Sequence, residues 1–97
     1  MWKVKLHAKT IKVLPSLPVL VRKALEQLAF DMRTNGPVMG NWPNYGKLDR
    51  ERHHCHLKKG RPTFVAVWRT ILEVQDNGEE RRVIEVTYVG THEKAPY

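Results

Sequence analysis

The stretch His53-His54-Cys55-His56-Leu57-Lys58-Lys59-Gly60-Arg61 places three of the chain's five histidines and three cations within nine residues. Imidazole exchanges protons near neutral pH, and ammonium and guanidinium groups hold phosphate. Read as a strand, successive side chains alternate between two faces. Cys55 and Leu57 then point into a core, and His54, His56 and Lys58 form a row on the opposite face. That row suits a polyanion, with groups that move protons beside groups that bind phosphate.

Other chemistries fit the same residues less well. His54, Cys55 and His56 are all zinc-ligand types, but alternation turns Cys55 away from both histidines. No C-x-x-C or H-x-x-x-H spacing adds further ligands. Cys55 as a nucleophile conflicts with Leu57, which marks its face as core. Neither a metal nor a small-molecule cofactor is expected. His53 is expected to pack or face a loop, and His7 to sit at the surface at a strand end.

The formal net charge of +7 is clustered, not spread. From Gly46 to Arg61 there are six Lys/Arg against two acids, and the first twelve residues hold four lysines and no acid. Such clustering favours an acidic partner. One cysteine precludes an intrachain disulfide and fits a reducing compartment. Met1-Trp2-Lys3-Val4-Lys5-Leu6 alternates apolar and basic residues, unlike a signal peptide, and the longest apolar run, Phe64 to Trp68, is too short to cross a bilayer. A cytoplasmic protein with no membrane partner is expected.

The 97 residues fit a single domain, 1–97, of class α+β. Trp2, Val4 and Leu6 alternate with Lys3, Lys5 and His7 as in a half-buried strand. Thr10 to Leu14 is ambiguous. With Ser16 as N-cap and Pro18 in the first turn, Leu17, Leu20, Val21, Ala24, Leu25, Leu28 and Met32 mark a helix with one apolar stripe. Asn35-Gly36-Pro37 ends it. Val38 to Arg52 reads as a loop whose Trp42 and Tyr45 plug the edge of the core. His53–Lys58 is a strand, Thr63–Val74 a central strand buried on both faces, Asp76-Asn77-Gly78 a type I′ hairpin turn, Arg82–Val89 the last strand, and Gly90–Tyr97 a polar tail. The expected architecture is an antiparallel sheet of about four strands, in the order β-α-β-β-β. An N-terminal helix or helical hairpin covers one face, and the other is left partly open.

This order, with these local sequences, resembles the RelE/ParE toxin superfamily of bacterial type II toxin–antitoxin systems. Leu14-Pro15 through Leu28 is similar to the family's Leu-Pro lead into its long helix. Lys47-Leu48 followed by His54-Cys55-His56-Leu57-Lys58 and Gly60 resembles its "K-L … Y-K-I-K-L-R-x-G" segment. Val89-Gly90-Thr91-His92-Glu93-Lys94 resembles its closing motif, and Tyr97 the aromatic residue beyond it, one residue out of register. The similarity spans nearly the whole chain, and its specificity lies in the order of motifs that are individually weak.

RelE-type members are ribosome-dependent mRNA endonucleases that repress translation. The resemblance places their strand lysines on His54 and His56, the following arginine on Lys58, and a catalytic Arg or His on His92. Their arginine at the start of the third strand has no clear equivalent, because the turn Gly60-Arg61-Pro62-Thr63 is longer than in the family, and Arg61 and Arg69 are both candidates. Metal-free RNA cleavage needs a base for the ribose 2′-hydroxyl, an acid for the departing 5′-oxygen, and cations for the phosphorane-like transition state. His92 with either His54 or His56 is the expected acid–base pair, with Lys58, Lys59, Arg61, Lys94 and Tyr97 binding RNA. The implied partners are mRNA, the ribosome and a cognate antitoxin protein. The alternatives are a ParE-like, non-nuclease inhibitor of DNA gyrase and a basic nucleic-acid-binding module without catalysis.

Overall fold

A computed structural model describes residues 1–97. In chain order the elements are β1 (Lys3–Leu6), α1 (Ala8–Val13), a 3₁₀ turn (Leu14–Ser16), α2 (Val19–Asn35), β2 (Gly46–Lys47), β3 (Arg52–Lys58), β4 (Phe64–Val74), β5 (Glu80–Thr91) and a second 3₁₀ turn (His92–Lys94). The sheet has five strands in the order β1-β5-β4-β3-β2. β2 to β5 pair antiparallel, whereas β1 lies parallel to β5, with Lys3 opposite Val83 and Leu6 opposite Val86.

The class is α+β, but the expected four-stranded antiparallel sheet is corrected to a five-stranded mixed one. The two helices carry the chain from β1 to the far edge of the sheet. Three antiparallel steps then return it to β1, and β5 arrives running the same way. The extra strand is β2, two residues of the expected Val38–Arg52 loop, in which Gly46 pairs with His54 and Lys47 with His53.

The ambiguous segment after β1 is α1. His7 caps it, its Nδ1 accepting from the Lys9 N–H at 3.0 Å. Ser16 is not the N-cap of α2. Its hydroxyl donates to the Val13 carbonyl at 2.8 Å within the turn between the helices, and Pro18 occupies the cap position. The Pro18 carbonyl accepts from Val21 and Arg22, so the helix starts on backbone bonds alone. Its buried stripe is Val21, Leu25, Leu28 and Met32, at steps of four, three and four. Leu20 falls outside that stripe and is exposed. Gly36, at φ 89°, ends the helix as expected.

This stripe packs on Cys55, Ala66, Trp68, Ile84 and Val86, with Trp42 and Tyr45 closing the margin of the core. The Trp68 indole is fully buried and satisfied, donating to the Pro37 carbonyl at 2.9 Å.

Only the first part of β4, Val65 to Trp68, is buried on both faces. Beyond Arg69, which lies opposite the start of β3, the β4–β5 hairpin runs past its covering elements, and Leu72 and Val74 are exposed. The hairpin turn is where expected but not type I′. Gly78 has φ 85°, whereas Asn77 is not in the left-handed region. The Gly78 N–H donates to the Gln75 carbonyl at 2.9 Å and the Gln75 N–H to the Glu79 carbonyl at 2.7 Å. This is the three-residue hairpin with glycine at the left-handed position. No helix is long and apolar enough to cross a membrane.

Candidate functional site

Alternation along β3 divides the His/Cys stretch as its spacing predicts. Cys55 is fully buried on the helix side, where burial pushes its thiol up to about 12. His54 and His56 lie on the open side, each half-buried. A bulge between His56 and Lys58 then breaks the alternation. Lys58 stands opposite Phe64, a residue packed on the helix-side core, so the expected His54-His56-Lys58 row ends at His56. The Lys58 ammonium instead folds toward the turn, 3.9 Å from where a Cβ on Gly60 would sit.

The last strand brings the third histidine to this face. β5 extends to Thr91, and the His92 N–H donates to the Thr63 carbonyl at 2.8 Å, tying the end of β5 to the start of β4. The His56 and His92 rings meet edge-to-face with centroids 5.6 Å apart. Tyr97 folds back over both histidine positions, 5.4 Å from His92 and 5.1 Å from His54 between centroids. The expected polar tail is therefore two more strand residues, a 3₁₀ turn and a return segment that closes a four-ring cluster.

Beside this cluster is an open groove of ≈ 540 Å³ lined by His56, Gly60, Arg61, Pro62, Thr63, His92 and Glu93. Arg61 enters it and Arg69 does not. Arg69 is held instead by Glu85, with Nε and Nη2 donating to one carboxylate oxygen at 3.0 and 2.8 Å. Lys58, Lys59, Arg61 and Lys94 are exposed and form no ion pair, although only Arg61 lines the groove. Glu93 is the one acid in its wall.

The electrostatics distinguish the rings. Burial lowers the His54 and His56 pKa values below the ordinary imidazole range, and nearby imidazoles lower them further. His54 is more confined than His56. Its Nδ1 is buried without a partner, and its Nε2 lies 3.1 Å from where a Cβ on Gly46 would stand, so the glycine leaves just enough room for the ring. Burial raises the Tyr97 hydroxyl above the usual phenol range. His53 is a core residue, stacked on Trp68 at an interplanar angle of 4°, with Nδ1 2.7 Å from the Tyr45 hydroxyl.

Three residues of the site were not singled out by spacing. Thr63 and Glu93 line the groove because the Gly60–Thr63 turn and the His92–Lys94 turn face each other. Arg52 reaches the return segment, its Nη1 donating to the Pro96 carbonyl at 3.0 Å. Only Arg52 carried a signal, its place in the basic Gly46–Arg61 cluster. Comparison with protein-family models, curated proteins and solved structures returned no match.

Proposed function

We propose that this chain is a RelE-type toxin, a metal-independent endoribonuclease that cleaves mRNA on the ribosome and is neutralised by an antitoxin protein. The observation that carries the reading is the meeting of His56 and His92, far apart in sequence, at one groove beside the unpaired guanidinium of Arg61. The family motifs, the helical pair on one face of the sheet and the +7 charge support it further.

In this mechanism a phosphodiester lies in the groove against Arg61. His56, kept neutral at pH 7 by its lowered pKa, takes the proton of the ribose 2′-hydroxyl. The 2′-oxygen attacks phosphorus, the bond to the 5′-oxygen breaks, and His92 as general acid gives that oxygen its proton. The products are a 2′,3′-cyclic phosphate and a 5′-hydroxyl. Arg61, with Lys58 and Lys59 at the rim, stabilises the extra charge on the transition state. Tyr97 and His54 supply an aromatic surface for a neighbouring base. An open groove orients its substrate weakly, and the ribosome supplies the orientation that raises the rate. The antitoxin is a protein whose acidic segment covers the same face.

The test is induction of the chain in cells, with mRNA 5′ ends mapped against uninduced controls. New 5′-hydroxyl ends within coding regions, with translation stopping before replication, are expected. Intact mRNA with DNA synthesis stopping first would replace this reading with gyrase inhibition.

A further inference from the structure

We infer that Arg52 is a positioning residue that clamps the return segment onto β3 and so sets the Tyr97 ring against His54 and His92; its catalytic consequence rests on the RNA-cleavage reading above.

Arg52 pairs with Arg69 across β3 and β4, and like charges directly opposite one another repel. Each guanidinium has its own acid: Arg69 has Glu85, and Arg52 has Asp49, whose Oδ2 accepts from Nε at 2.7 Å. Asp49 is itself fixed, its Oδ1 accepting from the N–H groups of Glu51 and Arg52 at 3.1 and 3.0 Å. The Arg52 side chain is therefore held in one orientation by a carboxylate that the loop holds in turn.

The remaining end of the guanidinium points along the open face to the Pro96 carbonyl. The next residue is Tyr97, which has only a local backbone bond, from its N–H to the Ala95 carbonyl at 3.0 Å. Its ring nonetheless lies between His54 and His92. Besides those ring contacts, the Arg52 bond is the tie between β3 and Ala95–Tyr97. Planar guanidinium serves here because it can bond two acceptors at once in a fixed fork, which a lysine ammonium does less well.

The experiment compares wild-type chain with Arg52→Ala and with Arg52→Met, which keeps the alkyl stem on the strand and removes both hydrogen bonds. The first readout is titration of the tyrosines followed by NMR. In wild type, Tyr97 titrates above the ordinary phenol range. In both variants Tyr97 is expected to return to that range, while Tyr45, also raised by burial, stays raised. The second readout is single-turnover RNA cleavage in a double-mutant cycle. Arg52→Met is expected to slow cleavage by about 10–100-fold in the wild-type background and to add nothing in a Tyr97→Ala background. An unchanged Tyr97 titration overturns the clamp, and so do additive losses in the cycle. If wild type cleaves no RNA, the catalytic reading falls, while the Tyr97 titration still decides the clamp.

Discussion

The open face of the sheet has two cation-bearing ends that treat their charges oppositely. Toward β1, three cations of this face are paired. Lys3 and Lys5 share the Glu73 carboxylate at 3.2 and 2.6 Å, and Arg69 is held by Glu85. Toward the Gly60 turn, Lys58, Lys59, Arg61 and Lys94 form no ion pair, and His56 and His92 line the groove with Arg61. The first arrangement holds strands in register, and the second leaves charge free for an incoming anion. A basic residue count cannot separate them, because Arg69 and Arg61 contribute equally to it. The difference lies in whether the folded sheet brings an acid within reach of the cation, as it brings Glu85 to Arg69 and no acid into an ion pair with Arg61.

Removing the histidines should break that contrast most severely. His92→Ala and the His54→Ala/His56→Ala pair are expected to reduce single-turnover cleavage on programmed ribosomes by about 10²–10⁴-fold. The melting curve of His92→Ala should stay close to wild type because its side chain is exposed, and that of the pair should fall only modestly because both rings are half-buried. Unfolding of these variants would mean that the cluster is core and not site.

The ion-paired end should respond in the opposite sense. Glu85→Gln leaves Arg69 without its charge partner and is expected to lower stability by about 1–2 kcal/mol, discounted because Arg69 is half-exposed. Cleavage per folded molecule should remain within about twofold, as expected for sites that share no partners. A large loss of cleavage at unchanged stability would show that the two ends are coupled.

Cys55→Ser tests the division between the two faces of β3. It places a hydroxyl in the fully buried helix-side core and should cost about 1–3 kcal/mol in denaturant titrations. The activity of the folded fraction should be unchanged, although His54 and His56 flank the substituted residue.

The smallest expected effect is on pH dependence. His53, His54 and His56 all have depressed folded-state pKa values, so the unfolded chain binds protons before the folded one does. Their contribution to stability is fully present above the ordinary imidazole pKa near 6.5 and is lost as pH falls through their lower folded values. Cleavage should follow the same direction, with the base limb of its profile falling below about pH 6.5. In His92→Ala, which removes a nearby like charge, His54 and His56 should titrate closer to the ordinary value by NMR. No change there would mean that burial alone sets both values.

Much of this was legible before any fold was known. Period-two alternation separated Cys55 from His54 and His56, because a strand's pleat enforces it locally. The three- and four-residue spacing of Val21, Leu25, Leu28 and Met32 marked a helix face for the same reason. The errors were local competitions that spacing cannot rank. Leu20 is as apolar as Val21 yet lies outside the stripe, Ser16 bonds backward to Val13 and not forward into the helix, and the bulge after His56 turns Lys58 out of the row.

The sequence by itself determined that the His54–His56 face of this strand would lie opposite the face carrying Cys55, because side-chain direction in a regular strand depends on parity. It also determined where the chain must turn, through Gly36, Gly78 and their neighbours. Only the tertiary structure decided that β5 lies beside β1, that His92 and Tyr97 return to β3, and that Arg61 and not Arg69 enters the groove. These are long-range pairings, set by which strand is free to accept the next one and by which acid ends up across the ladder, and no local pattern encodes them.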